Sequence, residues 1–187
     1  MVSTRFTSRD LETLPLKKGE RAEIIDGELY VSRQTSNFHQ YACHRVQVTV
    51  DRWNENTGLG YVFPVPGVVF AEDDDVVPDV VWVSRERYPH IVDEKGHFKA
   101  APELIVEVLS PGRANEFRDY QVKLDLYDRR GVLEYWIVSW ERRQVDVYRR
   151  EGGTLRLSAT FVAGDTLTSS VLPGFTTPVD GLFFPVG

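Results

Sequence analysis

Glu103-Leu104-Ile105-Val106-Glu107-Val108-Leu109-Ser110-Pro111 is the stretch on which the reading of the fold turns. Its middle is a short, nearly continuous apolar run closed by a Ser-Pro pair. Such a run predicts a strand buried on both faces, as in a parallel or mixed sheet. Glu107 is the lone charge inside it. Alternation puts Glu107 on one face with Ile105 and Leu109. An unpaired carboxylate there costs several kcal/mol (roughly), so it must be paired, protonated, metal-bound or at an open strand end. Half of a buried ion pair with an arginine satisfies the pattern equally well.

Downstream of that strand the clearest helix in the chain is predicted over Phe117 to Arg130. Phe117, Tyr120, Leu124 and Tyr127 fall on one face at helical spacing, Arg129-Arg130 suit the C-terminal dipole, and Gly131 stops it. Leu133 to Trp140 and Gln144 to Arg149 follow as two strands of a hairpin, and Leu155 to Phe184 as strand and turn. Upstream, Val76 to Ser84 is β-rich, with Pro78 at its entrance, where a missing ladder donor is tolerable. Gly60 to Phe63 and Gly67 to Phe70 read as strands. Asn37 to Gly58 fits both a helical stripe (Ala42, Val46, Val50, Trp53) and a period of two, and its length and Gly58 favour helix. Ala22 to Ile25 and Glu28 to Ser32 flank Asp26-Gly27, a hairpin signal, and a short capped helix begins near Ser8. The order predicts an α/β (α+β) fold, a sheet with helices packed on it. One domain is expected over 1–187, with an N-terminal helix and hairpin (1–35), a core (36–150) and a β-rich tail (151–187).

Two further side chains invite chemistry. Asp79 follows Pro78 at the mouth of a buried strand, where a turn-capping aspartate is also common. Asp79 and Glu107 on separate strands are able to converge on one hard cation, since Mg²⁺ is typically held by one or two carboxylates with waters and substrate phosphate. Lys123 lies beside the apolar face of the helix, one turn from Asp119 and one turn before Tyr127. It reads alone as a surface lysine paired with Asp119, and beside two carboxylates and a cation as a group that positions the attacking water. His39 and His44 are five residues apart, so they make no helical metal pair. Neither a Gly-rich phosphate loop nor a Gly-x-Ser-x-Gly elbow is present.

The bulk numbers bound the alternatives. The chain has 187 residues, a net charge of −6 and a single cysteine, Cys43. The cysteine count excludes an internal disulfide and a Cys-based structural zinc site, and fits a reducing cytoplasm. No apolar run approaches the roughly 20 residues that span a bilayer, so no membrane partner is expected. The acidic balance argues against coating DNA by charge alone. Residues 112–150 hold nine Lys/Arg against seven Asp/Glu, so a basic part beside the site is one expectation and a solvated face the other.

Pro78-Asp79 followed by Glu107-Val108-Leu109-Ser110-Pro111 resembles the Pro-Asp…Glu-x-Lys core of the PD-(D/E)XK nucleases. More narrowly, the chain looks like the large bacterial family labelled "putative restriction endonuclease". The likeness runs through Glu23 to Leu29, His39, Asp119…Lys123…Tyr127, Gly131 to Trp136 and Leu172 to Phe175. It departs at Leu109, where the superfamily keeps a lysine; in the resembling family a helix lysine takes that place, and Lys123 matches it. The resemblance implies a restriction endonuclease-like mixed sheet and a metal-dependent endonuclease acting on DNA. Asp79, Glu107 and Lys123 would be catalytic, with Mg²⁺ (or Mn²⁺) held by Asp79, Glu107 and the carbonyl of Val108. Glu23, Tyr127 and His39 would support them, although a cross-strand ion pair for Glu23 and a packing role for Tyr127 read as well. A homodimer is implied by analogy. The rival expectations are a non-enzymatic module that retains the fold and a nuclease acting on RNA.

Overall fold

The computed structural model describes residues 5–33 and 35–185. Three helical elements come before the central strand: α1 (Ser8–Thr13), α2 (Asn37–Thr57) and α3 (Tyr88–Ile91). After it come α4 (Arg113–Phe117), a π-helical turn (Arg118–Val122) and α5 (Lys123–Arg130), which run on as one bent rod. The strands are β1 (Arg21–Ile25), β2 (Glu28–Ser32), β3 (Gly60–Pro64), β4 (Val68–Ala71), β5 (Asp74–Val76), β6 (Val80–Ser84) and β7 (Leu104–Val108). They continue as β8 (Glu134–Ser139), β9 (Gln144–Glu151), β10 (Thr154–Val162), β11 (Thr166–Thr168) and β12 (Thr176–Pro178).

The quoted apolar run becomes β7, and every one of its residues is buried. It sits inside a sheet of order β10-β9-β8-β7-β6-β3, parallel to β8 and antiparallel to β6. The sheet is therefore mixed, with helices on its faces, as the sequence predicts. Leu104, Val106 and Val108 face one core with Ala42, Val46 and Val50 of α2 and with Leu172, Phe175 and Leu182 of the tail. Ile105 and Leu109 face the other, against Leu126 and Tyr127 of α5. Each such fully buried aliphatic side chain contributes about 1.5–3 kcal/mol of transfer free energy.

Local signals act as their chemistry dictates. Asp26 and Gly27 both take positive φ, 52° and 72°, the primed turn that a two-residue hairpin needs. Ser36 caps α2: its hydroxyl accepts the His39 N–H at 3.2 Å, and Gly58 closes the helix in the left-handed region. The hairpin does not stand alone but joins β5 and β4 in a second sheet of order β2-β1-β5-β4.

Three expectations need correction. The β-rich stretch 76–84 divides at Val77-Pro78-Asp79 into β5 and β6, which belong to different sheets. The long helix begins earlier, at Arg113. Its apolar stripe is displaced as well: Phe117 is 62% exposed while Asp119 and Lys123 are buried, because the π turn adds a residue and rotates the rod. The tail is β-rich as expected, and its β10 forms the edge of the central sheet. The basic residues of 112–150 do not make a free positive surface. Arg129 and Arg130 clamp the buried Asp74, Arg149 pairs with Glu134, Arg150 with Asp128, Arg142 with Glu116 and Arg143 with Asp180.

Candidate active site

The site forms where one end of the sheet meets three other elements. β6 and β7 run antiparallel with Val80 opposite Val106, so Asp79, just ahead of β6, lies beside the last residues of β7. Asp79 Oδ2 accepts the Val108 N–H at 2.8 Å, which pins it to that strand end. The rod of α4 and α5 crosses the same face and delivers Lys123 and Tyr127. The first turn of α2 delivers His39, and β1 delivers Glu23.

Lys123 is 2% exposed, and its Nζ stands 2.9 Å from Glu107 Oε1 and 2.9 Å from Glu23 Oε1. Tyr127 OH donates to the same Glu107 oxygen at 2.7 Å, so it bonds the carboxylate while its ring packs in the core. Glu23 also accepts the Val77 N–H at 2.9 Å. His39 Nε2 lies 3.5 Å from Asp79 Oδ2. The three residues expected to be catalytic, Val108 and two of the three supporting residues, Glu23 and His39, line one cleft of about 440 Å³. Tyr127 lies behind Glu107.

Two participants were missed by sequence reasoning. Asp119 is 1% exposed, and its carboxylate meets the Arg118 guanidinium at 3.2 Å rather than pairing with Lys123. Its four-residue spacing from Lys123 was the available signal. Cys43 Sγ lies 3.4 Å from His39 Nδ1, the contact expected of helix neighbours four apart.

The electrostatics follow from crowding. Burial, together with Asp79, Glu23 and Asp119 nearby, pushes Glu107 up to about 8 against the pull of Lys123. Burial also raises Asp119, with Lys123 and Arg118 opposing it. For Asp79 burial raises and is outweighed by His39, the Val108 N–H and Lys123, so its carboxyl is held below its ordinary value. Lys123 would be lowered by burial, but Glu107, Glu23 and Asp119 raise it, and it remains an ammonium.

With every carboxyl ionised, Glu23, Asp79, Glu107 and the adjoining buried Asp119 would bring four negative charges against two positive ones from Lys123 and Arg118, a surplus of two that the raised Glu107 relieves by holding a proton when no cation is bound. A divalent cation matches that surplus, and the oxygen donors of Asp79 and Glu107 suit a hard ion such as Mg²⁺ or Mn²⁺. His39, Cys43 and Asp79 also cluster, with ligand atoms within 4.8 Å of one another. In that cluster His39 Nδ1 faces Cys43 and Nε2 faces Asp79.

The family described as "Putative restriction endonuclease", Uma2, matches residues 8–180. This chain belongs to that family. A solved structure described as a "putative nuclease belonging to DUF820" from Anabaena variabilis ATCC 29413 has the same fold. It superposes at a TM-score of 0.73 with 18% identity, over 95% of this chain and 97% of that one. The type IIG restriction endonuclease BpuSI is a weaker likeness, at a TM-score of 0.41 and 15% identity over 68% of this chain and 14% of its own, too slight to bear on the fold. No curated protein matches. The Uma2 member thus has a restriction endonuclease-like fold, and among its described residues no helix is long and apolar enough to cross a membrane.

Proposed function

We propose that this Uma2 protein is a metal-dependent endonuclease that hydrolyses DNA phosphodiester bonds, with Asp79, Glu107 and Lys123 at its centre. One observation carries the reading. A fully buried lysine ammonium is held against Glu107 in the cleft that Asp79 lines, although the strand position two residues after Glu107 is a leucine. Leu109 packs in the apolar core beside Tyr127, and the ammonium arrives from the helix instead.

Asp79, Glu107 and the Val108 carbonyl would hold Mg²⁺ or Mn²⁺. A divalent cation bound there supplies positive charge to the phosphoryl oxygens and makes water easier to deprotonate. The chain's own residues do the rest. Lys123, fixed by Glu23 and Glu107, presents a cation to the charge that develops on the phosphoryl group and orients the attacking water. Tyr127 fixes Glu107, and His39 with the Val108 N–H fixes Asp79. A duplex cut on both strands needs two such sites, which a homodimer supplies. The unpaired Cys43 fits a reducing, cytoplasmic setting.

Plasmid cleavage with Mg²⁺, Mn²⁺ or EDTA tests the reading. Cleavage is expected with metal only, and Asp79→Asn and Glu107→Gln are each expected to abolish it while staying folded. Wild-type cleavage rates in either variant, or a pure metal-supplied wild type that cuts neither DNA nor RNA, would leave a nuclease-fold module without this chemistry.

A further inference from the structure

The floor of the cleft is dominated by carboxyl groups, those of Glu23, Asp79 and Glu107. The outer wall has the opposite character. Lys18, Arg21 and Arg33 line the same cleft and are exposed, and among the described residues none of them has a carboxylate partner within ion-pair distance. The acidic residue among them, Glu20, accepts the Lys17 N–H at 2.9 Å. This contrasts with 112–150, where eight of the nine basic residues are tied to carboxylates and only Arg113 is not.

The positions are ordered by the hairpin. Arg21 and Glu23 are two apart on β1 and so share a face, roughly 6.6 Å apart along the strand. One strand thus runs from a cationic lip at Arg21 to the cleft floor at Glu23. Arg21 pairs across the hairpin with Ser32, which puts Arg33 beside it on the second strand's exit. Lys18 sits in the turn that leads into β1. The hairpin is anchored through Asp26 and Asp74 to Arg129, so this wall is held against the helix that carries Lys123.

We infer that Lys18, Arg21 and Arg33 form the phosphate-binding track of this protein, along which the N-terminal hairpin seats the backbone of a nucleic acid leading into the cleft. The inference rests on the nuclease reading of that cleft and adds the element that grips the substrate. Backbone phosphates are contacted without regard to sequence, so the track supplies affinity and register and leaves base discrimination to other contacts.

The salt dependence of binding tests it. A labelled duplex oligonucleotide and a single strand of the same sequence are titrated with the full-length protein in EDTA across a series of NaCl concentrations. The variants are Lys18→Ala, Arg21→Ala, Arg33→Ala and, as a control, Arg142→Ala, whose arginine is engaged by Glu116. Each track substitution is expected to weaken binding equally across sequences and to lower the slope of log affinity against log salt by about 0.9 for duplex, or about 0.7 for single strands. Arg142→Ala is expected to leave the slope unchanged, and melting curves check that every variant is folded. Unchanged slopes in the three track variants overturn the inference, as does a wild type without affinity for either strand form at low salt. Cleavage with metal separates the two readings: cutting with unchanged slopes keeps the nuclease and removes the track, and lowered slopes without cutting keep the track and remove the nuclease.

Discussion

At the scale of the residue, the decisive exchange is between Leu109 and Lys123. A strand lysine two residues after Glu107 would have to enter a packed apolar cluster, where Leu109 is 5% exposed. Lys123 reaches the same carboxylate from the helix, with a second carboxylate, Glu23, on its far side. Replacing it by methionine removes the charge and keeps much of the stem. Lys123→Met is expected to lower cleavage about 10²–10³-fold, as losing one preorganised donor does elsewhere. It also leaves Glu107 and Glu23 buried beside each other, at a cost of about 3–5 kcal/mol. Lys123→Arg keeps the charge and is expected to stay closer to wild type in stability. Steady-state cleavage and thermal melts check both, and a folded Lys123→Met protein that cuts at the wild-type rate would remove this lysine from the mechanism. Asp79 and Glu107 stood out in the sequence because a charge in an apolar strand, or after a proline at a strand mouth, demands an explanation, whereas Lys123 stood out only through its match to the helix lysine of the resembling family. Asp119 did not, because an aspartate on a predicted solvent face demands no explanation.

At the scale of the element, the displaced stripe of the long helix traces to one turn. Spacing of 3.6 residues placed Phe117, Tyr120, Leu124 and Tyr127 on one face, and an undisturbed helix would have buried all four. The π turn at Arg118–Val122 breaks that register, exposes Phe117 and turns Asp119 inward. Sequence periodicity assumes a constant turn angle, so a local change in it is invisible there. The element's strands fared better, because β7 and β8 are buried along their whole length and read as apolar runs. A π turn is an α-helix with one residue too many. Deleting the exposed Gln121 is expected to restore α geometry and to swing the segment before it by about 100° relative to α5. α5 stays fixed by Leu126, Tyr127 and its two arginines on Asp74, so Arg118 and Asp119 are the groups displaced. The deletion protein is expected to fold, to melt lower through loss of the Tyr135 hydroxyl bond to the Asp119 carbonyl, and to cut about a hundredfold more slowly. Unaltered cleavage by the deletion protein would mean that the turn serves packing alone.

At the scale of the whole molecule, the crowded carboxylates make global stability a reporter of the site. In metal-free protein Glu107 is raised from 4.5 to about 8. Between those values the folded chain holds a proton that the unfolded chain has released, so stability falls as pH rises, with a limiting slope of about 1.4 kcal/mol per pH unit for one proton. The contribution is complete below 4.5 and is lost progressively up to about 8. Asp119, also raised, acts in the same direction. Asp79, held below its ordinary value, acts with the opposite sign, but its window lies at acid pH, where stability is lost as pH falls. A divalent cation bound by Asp79 and Glu107 replaces the proton and should stabilise the fold by about 2.7 kcal/mol at a hundredfold excess over its dissociation constant. It competes with protons, so its benefit should grow with pH. Melts in EDTA are therefore expected to decline from mildly acid to mildly alkaline pH, melts in Mg²⁺ or Mn²⁺ to decline less, and the gap between them to widen. Glu107→Gln should flatten the EDTA curve and close the gap, because its amide neither titrates nor holds the cation. Wild-type curves in EDTA and metal that coincide at every pH would show that no divalent ion is held by these carboxylates, and the surplus charge would have to be met by protons alone.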